Sequence, residues 1–257
     1  MLLFGRTQML SQYSYEEAVA FLMRSGFDGA EIGALDKSFM PRTEFYADGF
    51  AEKMRETLKR SEVRGFSVSM HKDYTESPKA FALAFDAVGI AAKLGAQVLI
   101  INGAKRDDSR EYDRQWEEMR LALGRLAAEA ENVGIKLAVE LEPGFVVDNT
   151  DRLLRMLTEV GSSAVGANCD IGHVFLQDAD PMEAIERTAP YIFHCHVENM
   201  PTGVHDHLVP WEGDMDMARY MHKLRDIGFD GGMSLDLYKY DYQEVCAPCA
   251  QYLRRFM

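Results

Sequence analysis

The chain has 257 residues, 47% of them hydrophobic and 27% charged, which is enough to bury one large core and carries no signature of disorder. Its net charge of −13 disfavours polyanionic partners, so neither nucleic acid nor an anionic membrane surface is expected. The opening stretch MLLFGRTQML lacks an apolar core of signal-peptide length, and no run reaches the roughly 20 apolar residues of a membrane span, so a cytoplasmic protein is expected.

Short apolar runs recur along the chain at 2–5, 28–33, 65–71, 96–102, 136–142, 164–170, 191–198 and 231–237, and each reads as a strand. Between them lie stretches with helical spacing. YEEAVAFLMRSG follows the first run, and QWEEMRLALGRLAAEAENVG follows the fourth, closed by Gly134 where a helix C-cap belongs. A strand followed by a helix, repeated without a Pro/Gly/Ser-rich linker, predicts one α/β domain over 1–257. Eight such units in this length match a (β/α)8 barrel, with a doubly wound open sheet as the alternative. The first strand is not followed by G-x-G-x-x-G, and there is no Walker loop, which lowers a nucleotide-binding reading of the open sheet. Cys169, Cys195, Cys246 and Cys249 form no paired metal-knuckle spacing, and the C-x-x-C at 246–249 reads as helix packing.

A barrel places its functional residues at the C-terminal ends of its strands. The last polar residues of the runs are Glu31, His71, Asn102, Glu142, Asp170, His196 and Asp236, with His173 one short loop further on. Alternation puts Glu140 on the face of Glu142, Asn168 on that of Asp170, His194 on that of His196, and Ser67 and Ser69 on that of His71. Cys169 and Cys195 alternate with Asp170 and His196 and are expected to face outward. Carboxylates and a histidine converging on a barrel interior need a counter-charge, and a divalent cation is the simplest one. Carboxylate and imidazole donors without thiolate suit Mn²⁺, Mg²⁺, Co²⁺, Fe²⁺ or Zn²⁺.

Four of the seven histidines, His194, His196, His205 and His207, fall within YIFHCHVENMPTGVHDHLVPWEGD. Together with ELEPGFVVDNT, CDIGH and GFDGGMSLDLYKYD, this segment resembles the sugar phosphate isomerase/epimerase family of xylose isomerase-like TIM barrels, a superfamily shared with endonuclease IV. The resemblance spans essentially the whole chain and is most specific from residue 136 onward. It implies one divalent metal held by Glu142, Asp170, His196 and Asp236, the last standing where the family usually has Glu. It also implies that His173 faces substrate, or binds a further metal as in the endonuclease branch. His205 and His207 match an Asp and a His that bind a further zinc in that branch, so His173, His205 and His207 are candidates for an additional metal. His71 also matches a zinc-binding His there, whereas Asn102 stands in place of a second one and counts against a full three-metal site.

The expected activity is a metal-dependent isomerase or epimerase acting on a small sugar, keto-sugar or polyol. The metal clamps adjacent carbonyl and hydroxyl oxygens, and a carboxylate, first of all Glu142, removes a proton from carbon. The family implies a second acid/base at Asp236, but Asp is one methylene shorter than the usual Glu. One-base chemistry centred on Glu142 and assisted by His173 is therefore expected, which favours isomerisation, elimination or lyase chemistry over a symmetric two-base epimerisation. His71, Asn102, His173 and His207 are expected to meet substrate oxygens, and Trp211 to stack on a sugar ring. Lys72 and Arg106 are weaker candidates for an anionic group. A dehydratase, an aldolase-like lyase or a C-glycoside-cleaving enzyme would use the same site. A multi-zinc phosphoester hydrolase and a metal-free binding barrel are the other classes, and homo-oligomerisation is left open.

Overall fold

The computed structural model describes all residues from Met1 to Met257. Strand β1 (Leu2–Arg6) runs into a 3₁₀ turn (Thr7–Leu10) and then helix α1 (Tyr15–Arg24). Ser14 starts α1 through a capping box, its hydroxyl accepting from the Glu17 N–H while the Glu17 carboxylate accepts from the Ser14 N–H. The chain continues through β2 (Gly29–Gly33), α2 (Phe50–Arg60), β3 (Gly65–Met70) and α3 (Pro78–Leu94). Then come β4 (Val98–Asn102), α4 (Tyr112–Val133) and β5 (Lys136–Glu140), with α4 closed by Gly134 at φ 76° as expected. Helix α5 (Thr150–Val160) leads to β6 (Val165–Asp170), after which two helices intervene, α6 (Ile171–Gln177) and α7 (Pro181–Thr188). The last elements are β7 (Ile192–Val197), α8 (Met217–Asp226), β8 (Gly232–Leu235) and α9 (Tyr242–Leu253). None of the helices is long and apolar enough to cross a membrane.

The eight strands pair in parallel in sequence order and close into a barrel, with β8 against β1, so the open-sheet alternative is excluded. The period of two sorts the side chains. Val68, Met70, Leu99, Ile101, Leu137, Val139, Met233 and Leu235 turn outward into the apolar layer beneath the helices, and Cys169 and Cys195 lie in that layer as expected. Glu31, Ser67, Ser69, Glu140, Asn168, Asp170, His194, His196 and Ser234 are buried polar residues on the opposite parity, which is the barrel interior. Phe4 fills the lower end. A Cβ on Gly29 or Gly232 would come within 2.7 or 2.3 Å of its ring, so glycine at these positions makes room for the plug.

The strand ends differ from the sequence reading where the polar face begins. Strand β5 stops at Glu140, which places Glu142 in the loop above it, and β8 stops at Leu235, so Asp236 stands just past its end. Cys246 and Cys249 are buried in α9, in helix packing.

Candidate functional site

Glu140, Asp170 and His196, on β5 to β7, and Asp236, just after β8, bring one donor atom each to within 4.8 Å of one another, and all four are buried. His196 Nδ1 lies 3.2 Å from Glu140 Oε2, 3.6 Å from Asp236 Oδ2 and 3.9 Å from Asp170 Oδ2. Asp170 also caps α6, its Oδ1 accepting from the His173 N–H at 2.7 Å, so that its other oxygen points toward the centre. Asp170 Oδ2 and His196 Nδ1 are buried with no hydrogen-bond partner, which in a native interior calls for an explanation. Three carboxylates and one imidazole around one point are the donor set of a divalent cation, and the residues fit one.

This grouping differs at one position from the expected ligand set. Glu142 is absent from it and Glu140 stands in its place. Register pairs Glu140 with Asn168, two residues below Asp170 on the next strand. The longer glutamate side chain, together with the stagger of tilted strands, lifts a carboxylate from that lower position to the level of the aspartate.

Beneath and beside the four donors lies a fully buried ionic network. Arg6 Nε donates to Glu31 Oε1 at 2.8 Å, Nη2 donates to Gln8 Oε1 at 2.8 Å, and Nη1 donates to the Tyr238 hydroxyl at 3.0 Å and also meets Asp236. Arg6 Nη2 is also 2.7 Å from His71 Nδ1. Because a guanidinium only donates, His71 accepts at Nδ1 and carries its proton on Nε2, 3.4 Å from Glu140. Glu31 Oε2 lies 2.9 Å from His196 Nε2. Burial alone would raise the Glu31 pKa, yet Arg6 and His196 outweigh it and hold the carboxyl well below its usual range. Burial likewise opposes charge on His196, but Glu140 and Glu31 lift that imidazole to about 9. The pocket around His196 therefore favours positive charge, which a proton or a metal ion can supply.

One layer deeper, His194 lies 3.0 Å from Asn168 Oδ1 through Nδ1 and 3.2 Å from both Ser67 Oγ and Ser234 Oγ through Nε2. Burial pushes its pKa down to about 3, so it is a neutral hydrogen-bonding group, as anticipated for an interior histidine.

Above the four donors the barrel opens into a cavity of about 870 Å³. Its wall includes His71, Asn102, Glu142, His173, His207 and Tyr238. Asn102 Nδ2 donates to Glu142 Oε2 at 3.0 Å, and burial pushes the Glu142 pKa up to about 7, with His173 acting in the opposite direction. His173 Nδ1 lies 2.9 Å from the Leu141 carbonyl and His207 Nδ1 lies 3.2 Å from the Asp236 carbonyl. A carbonyl only accepts, so both rings carry a proton on Nδ1 and, when neutral, present a lone pair at Nε2. Both lone pairs face His205 Nε2, at 2.9 Å from His173 and 3.1 Å from His207. The three imidazoles thus form a second group able to hold a metal.

Trp211 does not join the cavity. It is 45% exposed and packs against Tyr252 of α9, with ring centroids 5.7 Å apart, because the loop after β7 carries it past the barrel rim. Lys72 pairs with Glu76, and Arg106 pairs with Asp108 and Asp148, so neither points a free cation at the four donors. Sequence reasoning passed over Arg6, Tyr238 and the place of Glu140 among the four clustered donors. A signal existed for Glu140, which shares the interior parity of Glu142. There was none for Arg6, since a buried arginine is recognisable only by its partners.

The closed parallel barrel and the carboxylate–imidazole centre at the C-terminal end of its strands define a metal-competent (β/α)8 protein. The family described as the xylose isomerase-like TIM barrel matches residues 19–252, and the chain belongs to it. Among curated proteins it is 23% identical over 249 residues to an inosose dehydratase of Lacticaseibacillus casei, covering 86% of this chain and 80% of that one. It is 25% identical over 173 residues to a fructoselysine 3-epimerase of Shigella flexneri, covering 66% and 63% respectively. Similar solved folds include a D-tagatose 3-epimerase-like protein (TM-score 0.85, 19% identity, 100% and 97% coverage). Another is the probable 3-DHS dehydratase AsbF of Bacillus anthracis (TM-score 0.83, 16% identity, 99% of both chains).

Proposed function

We propose that the protein is a divalent-metal-dependent isomerase or epimerase acting on a sugar, keto-sugar or polyol-type substrate, with Glu142 as the base that removes a proton from carbon. The observation that carries this reading is a carboxylate in the cavity wall, hydrogen-bonded to Asn102, that stands next to the four-donor cluster without belonging to it. Glu140, Asp170, His196 and Asp236 would hold the cation, which when bound polarises the oxygens of a hydroxy-carbonyl unit. Asn102 fixes one Glu142 oxygen and leaves the other to face substrate. His173, tethered to the Leu141 carbonyl and 2.9 Å from His205 through Nε2, lines the cavity and would meet a substrate oxygen or a proton in transit by exchanging its His205 contact. The relatives support the sugar class, since the curated ones include a dehydratase of an inosose and an epimerase of fructoselysine.

A dehydratase reading is favoured by one further contact. Asp236, the family's second acid/base position, is engaged by Arg6, which leaves Glu142 as the free carboxylate of the cavity. One-base chemistry suits isomerisation or elimination of a hydroxyl better than a symmetric two-base inversion. The convergence of His173, His205 and His207 favours a second metal, and with it the multi-zinc hydrolase.

The test is turnover of 2-keto sugars and keto-inositols in deuterated water by the manganese-, cobalt- or zinc-loaded protein, followed by mass spectrometry. Deuterium incorporated at carbon in a rearranged product supports the isomerase/epimerase, and loss of water supports the dehydratase. Release of phosphate from phosphoester substrates with no exchange at carbon overturns both.

A further inference from the structure

The cavity is larger than its metal pole requires. At about 870 Å³ it lies in the upper part of the range for drug-sized ligands, roughly 300–1,000 Å³, and a single sugar ring would fill only the floor. The wall also holds more than carboxylates and imidazoles. Within a mostly polar lining, Met9, Phe39, Tyr238 and Tyr240 supply an apolar and aromatic part, with Lys37 beside them.

Phe39 is the unusual member of this lip. It sits at φ 58°, a conformation that a bulky L residue seldom adopts, and it is 42% exposed. The conformation is fixed by its loop. Asp36 Oδ1 accepts from the N–H groups of Ser38 at 2.8 Å and Met40 at 3.0 Å, and the Asp36 carbonyl accepts from the Phe39 N–H at 2.9 Å. Gln8 Nε2 also donates to that carbonyl at 3.1 Å, and Gln8 accepts in turn from Arg6, so the lip is tied to the ionic network around the metal donors. The ring that this backbone holds in place lies nearly parallel to Tyr238, with centroids 5.6 Å apart and planes 24° from each other. Tyr238 is anchored from below by Arg6. An exposed aromatic ring held in an unfavoured backbone conformation over the mouth of a polar cavity is a feature that folding alone does not call for.

From this we infer a two-part substrate: a hydroxy-carbonyl or sugar half on the polar floor, and a planar aromatic substituent seated against Phe39 and Tyr238 at the mouth. The inference rests on the sugar-type reading above and narrows it to aryl-substituted sugars. Offset stacking of an aryl ring on this pair adds to the apolar area that the ring buries.

Isothermal titration of the metal-loaded, full-length protein with matched phenyl and methyl glycosides of glucose, galactose, mannose and xylose tests it. For a sugar that binds, the phenyl member is expected to bind about tenfold tighter, and Phe39→Ala to reduce that ratio to about twofold or less. Phe39→Asn, which tolerates left-handed backbone, should do the same at unchanged melting temperature, whereas Phe39→Tyr retains the preference. Equal affinity for both members, or a preference that survives Phe39→Ala, overturns the aryl subsite and leaves the sugar reading standing. Binding of neither member by any pair overturns the aryl-sugar proposal, while the sugar reading is decided separately by the exchange test on 2-keto sugars and keto-inositols. A change of oligomeric mass in Phe39→Asn with an unaltered phenyl-to-methyl ratio assigns Phe39 to an interface between copies and also overturns the subsite.

Discussion

Asn168 donates from Nδ2 to Oε2 of Glu140 at 2.8 Å, fixing one oxygen of that carboxylate from the neighbouring strand. The amide is itself set by His194, which lies 3.0 Å from Asn168 Oδ1. Groups that orient a ligand in this way typically matter to metal affinity by about 10–100-fold when removed. Asn168→Leu is therefore expected to weaken manganese or zinc binding by about that factor, read by competition with a fluorescent chelator. Unchanged affinity would mean that Glu140 needs no such support.

The two neighbouring glutamates should separate cleanly. Glu140→Gln is expected to lose most metal affinity, while Glu142→Gln keeps the metal and loses turnover by about 10²-fold or more, the scale of a lost general base. Metal analysis after gel filtration and single-turnover assays on the same preparations check this. Loss of metal in Glu142→Gln would restore the ligand role that the sequence suggested.

The different depths of Glu140 and Glu142 mark how far the sequence could be read. Alternation correctly placed Ser67, Ser69, Asn168, Asp170, His194 and His196 on one face and Cys169 and Cys195 on the other, because parity depends only on strand periodicity. Depth is a different quantity. Glu140 and Glu142 share a parity, and which of them reaches the level of Asp170 depends on where β5 ends, on strand stagger and on side-chain length, none of which periodicity contains. Trp211 shows a second boundary. Its loop has no period, so nothing in the sequence told the cavity side from the α9 side. Arg6 shows a third, since its partners Glu31, Gln8 and Tyr238 come together only when the barrel closes.

Removing the Arg6 charge should be costly. Arg6→Met leaves Glu31 and Asp236 buried without their cation, and breaking such a pair typically destabilises by about 3–5 kcal/mol. Urea denaturation of the metal-stripped protein measures the loss. A change under about 1 kcal/mol would show that water or protonation compensates.

Metal addition offers a test that needs no substrate. A ligand at a hundred times its Kd stabilises the folded state by about 2.7 kcal/mol. For a chain of this size, that corresponds to a melting temperature roughly 5–10 °C higher than after chelation. Asp170→Asn is expected to abolish the rise. A rise that persists in Asp170→Asn would place the ion elsewhere, with His173, His205 and His207 the next candidates.

Trp211→Ala should leave substrate affinity unchanged within about twofold, because its ring rests on Tyr252 outside the cavity, and cost stability only on the scale of a partly exposed aromatic contact, about 0.5–1.5 kcal/mol. Parallel titration calorimetry and thermal melts distinguish the two effects.

The pairing of β8 with β1 also fixes when the four-donor cluster can exist during folding. Glu140, Asp170 and His196 belong to consecutive strands and can assemble within the second half of the chain, but Asp236 follows the last strand and Arg6 ends the first. Arg6 and its partner Tyr238 are separated by 232 residues, among the longest-range contacts in the molecule, and contacts of such separation form slowly. A chain still emerging from the ribosome therefore carries three of the four clustered donors without the strand that completes the cluster. With the cation proposed above, ion capture at full affinity should coincide with the final zipping of the ring, and the rate of metal uptake during refolding would be a clock for barrel closure.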